Sequence, residues 1–283
     1  MKRISYVNGK YCDHEKAYVH IEDRGYQFAD GVYEVFAVLG KRIVDYDGHL
    51  ERLFRSLSEI RINSPISKKS YLYILRNLIN KNKIFDGLIY LQVTRGVAER
   101  DFKFPKNIKS SLVVTVKKIS MTDYYSKFNK GIKVKTTRDL RWKRVDIKTL
   151  NLLPPVLAKQ YAVDNGCEEA WMIDDKGFIT EGSSSNAWIL IKDRLITTPA
   201  TNSILKGITR TSLIKALKKK KIKFSEKRFT LKDIKKADEA FITSATQFVM
   251  PVVKIDKTKI NKGKVGRYAN IFKDAYMEAI QLK

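Results

Sequence analysis

What this sequence has least of sets the first limits on it. Its two cysteines, Cys12 and Cys167, are too few and too far apart for a disulfide framework or a thiolate metal site. The three histidines, His14, His20 and His49, are scattered, so no metal site is expected. No apolar run reaches the roughly 18 residues that a membrane-spanning helix requires, and no membrane partner is expected. The opening stretch MKRISYVNGKYCDHEK has basic residues but no continuous apolar segment of the kind a secretory signal carries. A cytoplasmic setting is the expectation. Acidic residues are also scarce, with 30 Asp and Glu against 56 Lys and Arg, for a formal net charge of +26.

That excess admits two readings. A positive surface draws nucleic acid or small anions by long-range attraction. The other reading is a lysine-rich composition spread over solvated faces. KALKKKKIKF (215–224) and KDIKKADEA (232–240) carry much of the charge and look like exposed helix ends and loops. No RNA-recognition aromatic pattern, zinc finger or basic zipper accompanies them. The sequence is therefore read as having no nucleic-acid partner, with some attraction for anionic substrates.

What is present is enough for a sizeable core. Hydrophobic residues make up 43% and aromatics 11% of 283 residues, and the length fits roughly two domains of about 150 residues. Asn8-Gly9 between Tyr6 and Tyr11 is a hairpin signal. Residues 32–47 look like two strands joined at Leu39-Gly40-Lys41. Leu50, Leu53, Phe54, Leu57 and Ile60 fall on one face of a helix over 49–62. Tyr71, Leu75, Leu78 and Ile79 do the same in a second helix, capped by Ser67. Strands are expected at 87–96 and 111–118. The polar stretch SMTDYYSKFNK reads as a linker, giving an N-terminal domain over 1–119, a linker over 120–130 and a C-terminal domain over 131–283. In the second half, strands at 132–138, 168–173, 186–192 and 239–244 alternate with helices from Pro154-Pro155 to about Gly166, at 207–221 and at 265–281. The fold class is mixed α/β in two domains.

Four stretches could carry chemistry. In RVDIKTLNLL (144–153), Lys148 sits in a segment otherwise poor in charge. An apolar setting disfavours a charged amine and makes it nucleophilic, as carbonyl chemistry needs. Taken alone, the decapeptide is better satisfied by a lysine that lifts its head to solvent. In TEGSSSNAW (180–188), the serines could donate to an anion or ring substituent, and Glu181 could hold a proton on a pyridine nitrogen. An ordinary polar turn before a strand fits equally simple facts. LKGITRTSL (205–213) offers free N–H groups and a hydroxyl at a helix start, a setting for phosphate, or merely a helix with no ligand. Arg52, one turn after His49, could grip phosphate from a semi-buried site or lie on the surface.

Each signal is weak, but their order is specific. A lysine, then Glu-Gly-Ser-Ser-Ser-Asn, then Gly-Ile-Thr-Arg resembles the fold-type IV pyridoxal-phosphate enzymes, the class IV aminotransferases, and among them the D-amino-acid aminotransferases. The resemblance spans nearly the whole chain: EDRGYQFADGVYEVF (22–36), HLERL (49–53), IYLQVTRG (89–96), RWKRVDIKTLNLL (141–153), TEGSSSN, LKGITR, FITSAT (241–246) and GKVG (263–266). It implies that Lys148 bonds the cofactor pyridoxal 5'-phosphate and then moves the substrate's α-proton. Glu181 would pair with the pyridine nitrogen, and Ser185 in the same turn would also bind the cofactor. Arg52, Ile208, Thr209 and Ser244 would bind the phosphate, Leu205 would support the ring, and Tyr33 would face the substrate. A homodimer acting on amino acids and 2-oxo acids is implied.

One departure stands in VTRGVAERDFKFP (93–105). The D-amino-acid enzymes hold the substrate carboxylate with a tyrosine, an arginine and a histidine. Arg100 occupies the arginine position, but Phe102 stands where the histidine would be and cannot donate a hydrogen bond. Ala245 likewise follows Ser244 where a second hydroxyl is common. The expected activity is transfer of an amino group between a D-alanine-like amino acid and a 2-oxo acid such as 2-oxoglutarate, with altered specificity. Branched-chain L-amino-acid or (R)-amine transamination, and aminodeoxychorismate lyase chemistry, are alternatives on the same fold. A nucleic-acid-binding protein is a remote one.

Overall fold

The computed structural model describes residues 2–281. It divides into two compact units, residues 1–120 with 147–151, and residues 121–146 with 152–283.

The first unit is built on β1 (Ile4–Val7), β2 (Lys10–Asp13), α1 (Arg24–Phe28), β3 (Gly31–Leu39), β4 (Arg42–Ile43), α2 (Tyr46–Glu59), α3 (Lys68–Lys81), β5 (Gly87–Thr94) and β6 (Ser111–Lys118). The strands form one six-stranded sheet in the order β2-β1-β6-β5-β3-β4, antiparallel at every pairing. Asn8 and Gly9 both take positive φ (45° and 96°), the backbone that a two-residue hairpin turn demands. Gly40 and Lys41 do the same where the sequence placed the β3–β4 joint. Helices α2 and α3 bring Leu53, Leu57, Leu75 and Leu78 onto Val32, Phe36, Ile89 and Leu91. This is the outcome expected of apolar residues at three- and four-residue spacing. Ser67 caps α3 by accepting a hydrogen bond from Ser70 N at 3.3 Å. Residues 147–151 return to this unit along β3. Tyr33 N donates to Lys148 O and Leu150 N to Gly31 O, both at 3.1 Å.

The second unit holds α4 (Met121–Lys130), β7 (Ile132–Arg138), α5 (Leu153–Asp164), β8 (Glu169–Ile173), β9 (Ile179–Gly182), β10 (Asn186–Ile191), β11 (Arg194–Thr197), α6 (Ile208–Lys219), β12 (Phe224–Glu226), α7 (Leu231–Ile234), β13 (Glu239–Ser244), β14 (Phe248–Ile255), β15 (Thr258–Lys259) and α8 (Arg267–Gln281). Its nine-stranded sheet runs β12-β11-β10-β13-β14-β7-β8-β9, with β15 beside β14. It is mixed: β7 lies parallel to both β14 and β8, and β10, β13 and β14 are antiparallel neighbours. Stacked Trp188 and Phe241 (5.5 Å), with Phe272 against Phe241 (5.1 Å), mark its core. Helix α5 begins with Pro154 and Pro155 in its first turn, as the sequence indicated.

Several segments differ from the sequence reading: residues 147–151, read with the C-terminal domain, belong to the first unit, and two others are informative. Residues 121–130, read as linker, are the helix α4 of the second unit. Tyr124 and Phe128, four apart, are both buried, and the Tyr124 hydroxyl donates to Val249 O at 3.0 Å. Two large aromatics on one face hold a stretch whose other residues are mostly polar. Strand β14 was not foreseen, because Pro251 reads against a strand interior. It is nonetheless paired on both sides, and its register with β7 shifts just beyond the proline, between Val252 and Lys254. The lysine run at 215–224 closes α6 and turns into β12, largely exposed. Among the described residues, no helix is long and apolar enough to cross a membrane.

Candidate active site

In the first unit the site residues grow from β3. A strand sends successive side chains to opposite faces, so Tyr33 and Glu34 point apart. On the Tyr33 side, Lys148 Nζ lies 4.0 Å from the Tyr33 ring centroid. Lys148 is half-buried between buried neighbours. Ile147 and Thr149 beside it are the buried ones. Its backbone is fixed on two sides, with O accepting from Tyr33 N and N donating to Ser56 Oγ at 3.3 Å. Among the described residues no carboxylate pairs with its amine. Tyr90 packs beside Tyr33 at 5.8 Å, and burial, with Tyr33 adding to it, pushes the Tyr90 phenol up to about 12.

On the other side of β3, Glu34 is completely buried and takes a forked pair of hydrogen bonds from Arg52. Arg52 Nε reaches Oε1 and Nη2 reaches Oε2, both at 2.7 Å, and His49 Nδ1 meets Oε2 at 2.7 Å. Burial alone would raise the Glu34 carboxyl. The Arg52 charge and hydrogen bonds, helped by His49, overcome it and bring it down to about 2. His49 moves down as well, because its burial outweighs the pull of Glu34, so it stays neutral and donates from Nδ1. The sequence reading missed Glu34 as a holder of Arg52. Its one signal was a carboxylate within the apolar alternation VYEVFAV.

Arg100 and Phe102 are brought together on one ring. The Arg100 guanidinium lies 4.4 Å from the Phe28 centroid, and Phe102 meets Phe28 edge-on at 5.5 Å. Phe102 is nevertheless 84% exposed.

In the second unit Glu181 ends up buried on β9 with both oxygens engaged. Oε1 accepts from Arg141 Nη1 and from Leu205 N (3.0 Å), and Oε2 accepts from Asn186 Nδ2 at 2.9 Å. Burial pushes this carboxyl up, and the Arg141 charge and hydrogen bond oppose it without cancelling it. The serines do something the sequence did not show. Ser183, Ser184 and Ser185 all donate to one buried carboxylate, Glu169 on β8, the last two at 3.1 and 3.0 Å. Lys159 Nζ stands 3.3 Å from it. Nothing in the local sequence marked Glu169, which precedes its partners by 14–16 residues.

Helix α6 starts at Ile208 with Gly207 as its cap, and no side chain satisfies its first N–H groups. Gly207 is required there, because a Cβ would lie 2.1 Å from Asn186 Oδ1. Ile208 is half-buried and Thr209 buried, while Ser244 Oγ accepts from Gln247 N at 3.0 Å. Ala245 brings no hydroxyl, and Thr246 Oγ1, one residue later, lies 3.2 Å from Ser244 Oγ. An uncapped helix start beside hydroxyls suits a phosphate. A buried carboxylate suits a pyridinium, and a lysine without a carboxylate partner, set on an aromatic ring, suits an aldehyde. Each unit by itself therefore offers groups that suit pyridoxal 5'-phosphate. No group of three or more His, Cys, Asp or Glu that could hold a metal occurs among the described residues.

Residues 31–255 match the family model described as amino-transferase class IV. A D-alanine aminotransferase from Staphylococcus aureus (strain N315) is 39% identical over 282 residues, 99% of either chain. Two solved structures share the fold at low identity. A branched-chain amino acid aminotransferase from Escherichia coli superposes with a TM-score of 0.92 at 21% identity, covering 99% of this chain and 95% of that one. A hypothetical aminotransferase from Mycobacterium tuberculosis, in its PLP-bound form, gives 0.84 at 18% identity, covering 98% of either chain.

Proposed function

Because this chain belongs to the class IV aminotransferases and is a pyridoxal-phosphate enzyme, we propose that its amino donor is a D-alanine-like amino acid and its acceptor a 2-oxo acid such as 2-oxoglutarate. The observation that carries the reading is the Tyr33–Lys148 pair, amine against aromatic ring at 4.0 Å. A tyrosine brings a hydroxyl to the substrate side of the lysine, where the branched-chain enzymes of the class usually have phenylalanine. The curated relative at 39% identity, named a D-alanine aminotransferase, supports it.

When bound, the cofactor supplies a carbonyl for the amino group and a ring that stores the electron pair released at the α-carbon. The residues have the following parts. Lys148 Nζ holds the cofactor and then moves the proton lost by the substrate's α-carbon. Glu181 holds a proton at the pyridine nitrogen, and Leu205 supports the ring. Arg52, fixed by Glu34, binds phosphate together with the N–H groups of Ile208 and Thr209 and the hydroxyl of Ser244. Ser185 serves as part of the turn that sets Glu181 and Asn186. Tyr33 and Arg100 bind the substrate carboxylate.

Phe102 favours a second reading of substrate range. An exposed ring in place of a donor removes one hydrogen bond to a carboxylate, worth roughly 1.5–3 kcal/mol when unreplaced. Amines without a carboxylate lose less by that change. A homodimer is also part of the proposal. Leu153, Val156 and Leu157 stand more than half exposed along α5, an apolar face suited to a second copy. Steady-state rates with D-alanine, L-leucine, an (R)-amine and aminodeoxychorismate test the substrate. D-Alanine with 2-oxoglutarate should be fastest, and a strict preference for branched-chain L-amino acids would refute the reading.

A further inference from the structure

The cluster behind Glu181 has an unbalanced charge. Arg141 sends one end of its guanidinium to Glu181 Oε1 and the opposite edge to Asp139, with Nε 2.9 Å from Oδ1 and Nη2 2.6 Å from Oδ2. All three side chains are at least nine-tenths buried. Thr180 Oγ1 donates to Asp139 Oδ2 at 2.7 Å and lies 3.3 Å from Arg141 Nη2, which also reaches Ser203 O. The backbone N of Arg141 closes on Asp139 Oδ1 as well, at 3.1 Å. An arginine with a purely solvating role would not be locked between two buried carboxylates.

We infer that Arg141, oriented by Asp139, keeps the Glu181 carboxyl ionised and is a positioning residue for the cofactor ring. This rests on the proposal that Glu181 faces the pyridine nitrogen. Two carboxylates and one guanidinium leave one negative charge over when both acids are ionised. A protonated ring nitrogen at Glu181 neutralises it. If Glu181 were neutral, the cluster would already balance and would give the ring proton no electrostatic support. The local forces on the two acids differ. Burial would raise Asp139, but the hydrogen bonds and charge of Arg141 win and hold it low, whereas burial wins at Glu181. Glu181 is therefore the acid that takes up a proton if Arg141 is removed. The other groups around it do not replace that charge. From β10 comes the neutral amide of Asn186, and from the loop before α6 the Leu205 N–H. Glu169 on β8, with Lys159 beside it, is engaged by the serine turn.

The test uses full-length holoenzyme in five forms: wild type, Arg141→Met, Arg141→Lys, Glu181→Gln, and the Met/Gln double variant. Retention of pyridoxal phosphate on dilution is followed by visible absorbance. The charge on Glu181 is followed by infrared difference spectra of glutamate-labelled protein, with Glu181→Gln as reference. Arg141→Met should weaken retention roughly ten- to hundredfold. It should also reveal a protonated-carboxyl band that is absent from wild type. The double variant should be no worse than the poorer single variant, because both act on one group. Arg141→Lys, with charge but no fork, should recover part of the loss. Fully additive losses, or no carboxyl band in Arg141→Met, would overturn the inference. If Glu181→Gln alone retains cofactor normally, the ring-contact reading fails instead, and the infrared comparison still decides whether Arg141 sets the charge. Should Arg141→Met not fold, Arg141→Gln, which keeps amide donors without the charge, must show the protonated-carboxyl band and a larger loss of retention than Arg141→Lys, or the inference falls.

Discussion

Replacing Glu34 with glutamine tests how Arg52 is held, and the size of the effect follows from the geometry. The native carboxylate accepts three charge-rich hydrogen bonds at 2.7 Å and donates none. Glutamine keeps one oxygen and puts an NH2 where Arg52 or His49 also donates, so at least one buried donor faces another. Bringing the carboxyl from its ordinary 4.5 down to about 2, at ~1.36 kcal/mol per pH unit, corresponds to roughly 3 kcal/mol of stability near neutral pH. Breaking a buried ion pair by removing one partner costs about 3–5 kcal/mol in comparable cases, so the two routes agree. For a unit of this size the melting temperature should fall by about 10 °C. Because the folded carboxyl is depressed, its contribution is complete above about 4.5 and is lost as pH falls toward about 2. The gap between wild type and Glu34→Gln should therefore narrow in acid. His49, also depressed, lowers wild-type stability in the same direction from about pH 6.5 downward. Thermal unfolding followed by circular dichroism between about pH 7 and about pH 3 measures both. A melting temperature within about 2 °C of wild type at neutral pH, or a gap that does not narrow in acid, would refute the reasoning.

Three further outcomes are expected. Lys148→Ala should lose turnover by at least about a thousandfold, while binding pyridoxal phosphate non-covalently; wild-type-like rates with added cofactor would remove Lys148 from the chemistry. Phe102→His should raise kcat/KM for D-amino acids by about tenfold, through one restored hydrogen bond to the carboxylate. An unchanged KM for D-alanine would show that the ring is not near the substrate. Gly207→Ala puts a methyl against Asn186 Oδ1. It should destabilise the protein by about 1–3 kcal/mol and weaken cofactor retention, both checked by thermal unfolding with and without added pyridoxal phosphate.

Much of this fold is written locally. The α2 and α3 faces were legible because each helix buries one side against a sheet, and their apolar spacing records that. Asn8-Gly9, Ser67 and Pro154-Pro155 were legible because backbone chemistry fixes them wherever they occur. Helix α4 was not, since its buried residues are just Tyr124 and Phe128, in a mostly polar stretch that has no periodic run. Strand β14 was hidden by Pro251, whose missing N–H is accommodated beside a register shift. The candidate site, as proposed, divides the same way. Lys148, Glu181, Ile208-Thr209 and Arg52 could be picked out as a sequence of motifs in order. The groups that hold them could not, because their partners are remote: Glu34 is 18 residues from Arg52, and Arg141 is 40 from Glu181. The three serines show the risk in the local reading. Their donors looked free for a ligand, yet a carboxylate one strand away takes all three.

The most direct test of the central claim is the visible spectrum of the purified protein with pyridoxal phosphate bound, before and after D-alanine, with L-alanine as control. The account predicts a yellow protein that bleaches with D-alanine, is little changed by L-alanine, and regains its colour with 2-oxoglutarate. A yellow protein that bleaches with L-amino acids and ignores D-alanine would contradict the proposed substrate, and failure to bind the cofactor at all would contradict the site.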